Sequence, residues 1–230
     1  MYAEHAPPPG LSGRISCLWE QVSETSRTQL VVPDGCVDLI WGPGGPHVAG
    51  PDTGPMSAVM RPGDRFVGIR FRPGAVGGFF GVPPAELRDL RVPLGELPDV
   101  AALLDRRRGV SRRDALVAAV RERMRVTEGA DAAATDAATA IAAALGSGAA
   151  VSRVAWELGF SERQLHRRTL AGFGYSPKVL QRVVRFQRAL RLARAGQPLA
   201  GVAADAGYAD QAHLANEVRR LSGTTMSRLL

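Results

Sequence analysis

Side chains suited to reading nucleic-acid bases, most of them polar, recur at helical spacing on two segments near the end of the chain. They are Arg163, Gln164, His166 and Arg167 on the first segment, and Gln211, Ala212, His213 and Asn216 on the second. Arginine can form paired hydrogen bonds with guanine, and asparagine or glutamine can form them with adenine. Such chemistry requires helices that turn both sets of side chains outward.

The sequence around these residues contains one pattern twice. The first copy consists of Val151, Val154, Ala155, Leu158, Gly159 and Phe160, and the second of Leu199, Val202, Ala203, Ala206, Gly207 and Tyr208. Past the turn, Leu165 matches Leu214 and Gly174 matches Gly223. Each copy predicts a short helix, a tight glycine–aromatic turn and a longer helix, which is the pattern of a helix-turn-helix. The two predicted units span 151–171 and 199–221.

A basic helix is predicted between the two units, over 177–195. Its apolar residues form one stripe, and Arg182 lies off that stripe, where it could contact a phosphate. Nineteen helical residues span about 28 Å, which is compatible with two reading helices held roughly 34 Å apart, one turn of DNA. One chain could then read two successive major grooves.

The positive charge of the chain is concentrated in its last hundred residues. Residues 131–230 carry 13 basic and 7 acidic side chains, whereas residues 1–130 carry 16 and 15. A basic domain beside a nearly neutral one favours a polyanionic partner for the C-terminal part.

The fold class predicted from the hydrophobic pattern is α+β. Short strands are expected at 15–22, 29–32, 36–41, 56–60 and 65–71, in a small sheet or barrel-like domain, with short helices in 73–89. Helices are expected at 99–107 and 112–126, and then at 132–145, 151–158, 162–171, 177–195, 199–206 and 210–221. The predicted division is a strand-rich domain at 1–98, a helical connector at 99–130 with a joint at 127–131, and an all-helical domain at 131–230.

The repeated motifs resemble the AraC/XylS family of bacterial transcription regulators. The resemblance covers about residues 131–230 and includes the stretch 174–178 between the units. It implies double-stranded DNA as the partner, and it places all the polar residues named above, apart from Gln164 and Arg182, where the family contacts bases. Thr169 and Val218 depart from the pattern, since the family usually has phenylalanine there, and so do Met226 and Asn216, which replace a proline and an arginine.

The stretches 32–41 and 68–74 look like the small domain that precedes this module in some actinobacterial regulators. By analogy this domain senses a small-molecule effector or mediates association as a homodimer, and an activator would also contact RNA polymerase. The candidate effector contacts are Trp19, Cys36, Asp38, Trp41 and Arg70.

Catalysis, metals and cofactors find little support in the sequence. The four histidines are scattered, and Cys17 and Cys36 lack metal-ligand spacing. An enzyme joined to a DNA reader, with one of these cysteines as an alkyl acceptor, is an alternative, although neither has a neighbour that would lower its pKa. An architectural protein without base preference is another alternative, which the base-reading side chains disfavour. No membrane span or secretory signal is predicted, so a cytoplasmic location is expected.

Overall fold

A computed structural model describes residues 1–107, 109–127 and 132–230 of the chain. The strands are β1 (Tyr2–His5), β2 (Ile15–Val22), β3 (Arg27–Val31), β4 (Val37–Gly42), β5 (Gly45–Ala49), β6 (Met56–Met60), β7 (Arg65–Phe71) and β8 (Arg91–Pro93). The helices are α1 (Pro98–Asp105), α2 (Arg112–Thr127), α3 (Ala132–Gly146), α4 (Val151–Glu157), α5 (Glu162–Phe173), α6 (Pro177–Arg194), α7 (Leu199–Asp205), α8 (Gln211–Ser222) and α9 (Met226–Leu229). The strand-rich part followed by helices confirms the α+β prediction.

Two antiparallel sheets form the strand-rich part. The larger has the strand order β1-β2-β7-β4-β5-β8, and the smaller pairs β3 with β6. Side chains alternate between the faces of the larger sheet, as the period of a strand requires. Leu18, Leu39 and Ile69 lie on the face that forms the hydrophobic core. Their neighbours Trp19, Asp38 and Arg70 lie on the opposite face, which borders a cavity.

The helices α1 and α2 pack on the core face of this sheet. Val100 and Leu104 of α1, with Leu116 and Val120 of α2, belong to the same buried cluster as the strands. The described helices α1 and α2 of the predicted connector at 99–130 therefore contribute to the core of the N-terminal domain, while the domain bounds stay a prediction. Most of the predicted joint, residues 128–131, lies outside the described residues.

The C-terminal helices form two further cores that share α6. Leu180 and Val183 of α6 belong to the core of α3, α4 and α5. Phe186 and Leu190 of α6 belong to the core of α7, α8 and α9. Because one rigid helix contributes to both cores, it fixes the spacing between them.

The strand predictions missed three elements. β1 lies in the proline-rich opening of the chain and β5 begins within a glycine–proline stretch, and no strand is predicted at either place. Both are ordered by antiparallel pairing with a central strand, β1 with β2 and β5 with β4. The short helices expected in 73–89 are turns with one 3-10 turn at Pro84–Glu86, and β8 follows them.

Candidate nucleic-acid interface and effector cavity

Both long helices of the repeated units begin and end in the same way. Ser161 precedes α5, and its side chain accepts a hydrogen bond from the Gln164 amide. Asp210 precedes α8 and accepts from the His213 amide. Such caps satisfy amides that the first helical turn leaves unpaired. Gly174 and Gly223 end the two helices with φ angles of 71° and 69°, a left-handed conformation that favours glycine.

The first turns of α5 and α8 present side chains to solvent, and most of the predicted base-reading residues lie there. The exposed members of the predicted set are Arg163, Gln164, His166, Arg167, Gln211, Ala212 and Asn216. Their positions correspond closely between the units, since Arg163 matches Ala212 and Arg167 matches Asn216. Exposure on the same face of both helices leaves these side chains free to enter a groove.

Gln164 and His213 have a structural task in addition. The Oε1 atom of Gln164 accepts a hydrogen bond from the Ser161 amide at 2.8 Å, which completes a capping box. At the matching position, Nδ1 of His213 lies 3.3 Å from the Ala209 amide, and the imidazole packs edge-on against Tyr208. Both side chains therefore stabilise the helix start, and His213 is only half exposed.

Arg182, which is predicted to contact a phosphate, forms an ion pair within the C-terminal domain. The Nε atom of Arg182 lies 2.8 Å from Oε2 of Glu217, and these side chains are 19% and 14% exposed. This ion pair joins the linker helix α6 to the reading helix α8. The sequence offered no sign of it, because the two residues are 35 positions apart.

Hydrogen bonds tie the C-terminal domain to the N-terminal one. The Tyr175 hydroxyl donates to the Asp52 carbonyl at 2.5 Å, and this bond is buried. Arg88 donates to the Gly174 carbonyl at 3.2 Å. The side-chain Nε2 of Gln187 on α6 donates to the Pro33 carbonyl at 2.6 Å. The position of α6 is therefore coupled to the turn that begins at Pro33.

A cavity of about 680 Å³ lies between the larger sheet, the β3–β6 pair and α6. Its walls include four of the five predicted effector contacts, namely Trp19, Cys36, Asp38 and Arg70. Gln187, Leu190 and Arg194 line it from α6. Sequence reasoning did not place α6 or Asp34 at this site, although Asp34 lies in a Pro-Asp-Gly turn.

Trp41 does not lie at the cavity. It is three residues from Asp38 on the same strand, so it points to the opposite face of the sheet. There it packs against the hydrophobic core, with the Arg112 guanidinium 6.0 Å from its ring. Trp41 therefore does not share the cavity with Asp38, and its contact with an effector stays a prediction.

A network of charges occupies the cavity wall. Arg70 forms two-pronged hydrogen bonds with Asp38, from Nε to Oδ1 at 3.1 Å and from Nη2 to Oδ2 at 3.1 Å. The indole Nε1 of Trp19 donates to the same Oδ1 atom at 3.1 Å. Trp19 lies flat against Gly68, where an added Cβ would be only 2.2 Å from the ring. The glycine thus allows the indole to reach Asp38.

Neither cysteine is bridged, and neither is an activated nucleophile. Burial raises the pKa of Cys17 to about 11. Burial, followed by the charge of Asp34, raises the pKa of Cys36 well above its usual value. A nucleophilic cysteine requires a lowered pKa, so the raised pKa values of both thiols do not favour the alkyl-acceptor alternative.

The described residues contain no group of three or more histidine, cysteine, aspartate or glutamate side chains that could hold a metal ion. No helix in the part of the chain that the structure describes is long and apolar enough to cross a membrane.

Solved structures of one protein resemble the chain loosely. A crystal structure of ToxT from Vibrio cholerae O395 has a TM-score of 0.48 at 9% identity, covering 92% of this chain and 96% of that chain. A structure of wild-type ToxT from strain SCE256 with bound unsaturated fatty acid has a TM-score of 0.42 at 10% identity, covering 90% and 87%. No curated protein sequence matches the chain significantly.

Two family profiles match separate parts of the sequence. The family described as a domain of unknown function, DUF6597, matches residues 3–93. The family described as a helix-turn-helix domain matches residues 154–230. The second match covers most of the first unit, the linker helix and the second unit. The chain therefore combines a DUF6597 domain with a helix-turn-helix domain of the AraC type that follows it.

Proposed function

We propose that this regulator reads two successive major grooves of double-stranded DNA, with α5 in one groove and α8 in the next. The observation that carries the proposal is the sharing of α6 between the two helical cores. Eighteen helical residues span about 27 Å, so α6 holds the units at a fixed separation. A separation near one turn of DNA would place both readers on one side of the duplex.

The proposed base contacts lie on the first two turns of the reading helices, and all are exposed except His213, which is half exposed. They are Arg163, Gln164, His166 and Arg167 from α5, and Gln211, Ala212, His213 and Asn216 from α8. Of these, Arg167 and Asn216 occupy matching positions and can each form paired hydrogen bonds with a base edge. Arg182 is left out because Glu217 engages its guanidinium.

Selection of binding sites from random duplexes by the full-length protein tests this proposal. We expect a bipartite motif whose two halves lie about 10 base pairs apart. Arg167→Ala should relax the preference at one position and reduce specific affinity by roughly 5- to 150-fold, equivalent to about 1–3 kcal/mol. A single short motif, or equal loss on specific and random DNA, would refute the double reading.

Arg121→Ala is the matched control for the loss of one positive charge. Arg121 is exposed on α2 in the N-terminal domain, outside both repeated units. Its substitution should leave the selected motif and the preference at every position unchanged.

The same proposal assigns the cavity to a small-molecule effector. The cavity is bounded by α6, and Gln187 of α6 both lines it and bonds to Pro33. A ligand there would contact the helix that fixes the spacing of the two readers. Contact with RNA polymerase, expected if the regulator is an activator, and homodimer formation stay predictions.

A further inference from the structure

One cluster of three charged side chains on the cavity wall, Asp34, Asp38 and Arg70, carries more negative than positive charge. Asp38 and Arg70 form a closed pair, in which Asp38 also accepts from Trp19. Asp34 is a second carboxylate beside the same guanidinium, and its Oδ2 lies 3.8 Å from Nη1 of Arg70. Two carboxylates therefore face one guanidinium, and Asp34 interacts with it more weakly than Asp38 does.

Asp34 is positioned to bind a ligand. Its Oδ1 accepts a hydrogen bond from the Cys36 amide at 2.8 Å, which fixes the carboxylate in the turn before β4. Its side chain stays one third exposed, because it faces the cavity. Burial raises the pKa of Asp34, and a positive charge on a ligand would offset that effect.

The remaining charged groups at the cavity are either paired with each other or exposed to solvent. Asp52 and Arg91 pair with each other at 2.7 Å. Burial lowers the pKa of His47, so its imidazole is neutral at neutral pH. Arg27 and Arg194 are exposed at the cavity wall, where water and salt screen their charges.

The rest of the wall suits an apolar body. Its aromatic members are Tyr2, Trp19 and Phe66, and its aliphatic members include Ile40, Met56, Met60 and Leu190. A volume of about 680 Å³ accommodates a compound of moderate size. Aromatic faces and a carboxylate together favour a cation.

We propose that the effector of this regulator is an organic cation, an amine with an aromatic or bulky aliphatic body, whose ammonium group pairs with Asp34. This assignment rests on the effector role proposed above. Asp34 directly follows Pro33, whose carbonyl accepts the hydrogen bond from Gln187 of α6 at 2.6 Å. A ligand that pairs with the Asp34 carboxylate therefore contacts the residue next to Pro33, which accepts the hydrogen bond between the domains.

Sets of compounds that differ only in charge test the assignment with the full chain at pH 7. Each set contains an amine, its alcohol and its carboxylate on one body, namely phenylethyl, naphthylethyl or cyclohexylethyl. Binding is measured by calorimetry and by the rise in Tm at fixed ligand concentration. We expect at least one amine to bind roughly tenfold or more tightly than its alcohol and carboxylate.

Asp34→Asn removes the charge but keeps an oxygen that can accept from the Cys36 amide, so the preference for the amine should disappear. Asp64→Asn is the matched control, because Asp64 also accepts a backbone amide in a turn of this domain, from Arg61 at 2.7 Å, and does not line the cavity. That variant should keep the preference. If Asp34→Asn does not fold by circular dichroism, Asp34→Ser replaces it, since serine also accepts an amide two residues ahead.

Equal binding of the amine and the alcohol in all three sets would overturn the assignment, as would a preference that survives the loss of Asp34. Failure here is separable from failure of DNA reading. A bipartite DNA motif without amine preference refutes only the ligand class, whereas amine preference without any DNA motif refutes the double reading.

Discussion

The ion pair between Arg182 and Glu217 gives the sharpest test of how the second reading helix is held. The Nε–Oε2 distance is 2.8 Å, and both side chains are less than one fifth exposed. Exposed pairs contribute about 0–1 kcal/mol, and loss of one partner of a fully buried pair costs about 3–5 kcal/mol. Because this pair lies between those limits, Arg182→Met or Glu217→Gln should each lower the free energy of unfolding by about 2 kcal/mol.

A double-mutant cycle measures the coupling between the two side chains. Urea unfolding followed by circular dichroism gives the free energy for the parent, both single variants and the double variant. We expect the double variant to lose about 1–2 kcal/mol less than the sum of the single losses. Each single variant should lower Tm by about 4–8 °C, given about 2–4 °C per kcal/mol for a chain of this size.

The salt dependence of DNA binding separates this role from a phosphate contact. Each neutralised phosphate contributes about 0.9 to the slope of log K against log salt concentration. Arg182→Met should leave that slope unchanged, because its guanidinium is engaged by Glu217. Additive losses of stability together with a slope reduced by about one unit would refute the assignment and restore the phosphate contact.

Three further substitutions test individual contacts. Asp34→Asn should raise Tm at pH 7. Burial raises the pKa of Asp34 in the folded chain above about 4, its value in the unfolded chain. The wild type therefore loses stability as the pH rises above about 4. A gain in the Tm of the variant that persists at pH 3 would contradict this cause. Tyr175→Phe should cost about 1–3 kcal/mol in urea unfolding, since the buried Asp52 carbonyl loses its donor. The control Tyr208→Phe should cost less, because that buried hydroxyl lies beside the Arg185 guanidinium within the C-terminal domain and makes no bond between the domains; equal losses would argue against the interdomain bond. Thr169→Val should change stability by less than about 1 kcal/mol, as the hydroxyl bonds only to its own helix; a loss above 2 kcal/mol would reveal another role.

Local signals in the sequence accounted for the helical units. Ser161, Ser176 and Asp210 each cap the helix that follows, as their residue types predict. Glycine ends α5 and α8 in the left-handed conformation. These features depend on a few adjacent residues, so the repeat and its two reading helices could be recognised without any knowledge of tertiary packing.

The cavity could be predicted only in part. Strand alternation places Asp38 and Trp41 on opposite faces of β4, so the period of two already separates them. The contribution of Gln187 could not be predicted, because it contacts Pro33 from 154 positions away. The packing of α1 and α2 on the larger sheet could not be predicted for a similar reason, since amphipathic helices do not indicate which sheet they cover.

By itself the sequence determined where helices begin and end, that one helical unit occurs twice, and which exposed side chains could read bases. These properties follow from backbone capping and periodicity, which act over a few residues. Only the tertiary structure decided that Arg182 pairs with Glu217, that Asp34 faces a cavity and that α6 joins two cores. Those contacts join residues distant in sequence, and their geometry depends on how the whole chain packs.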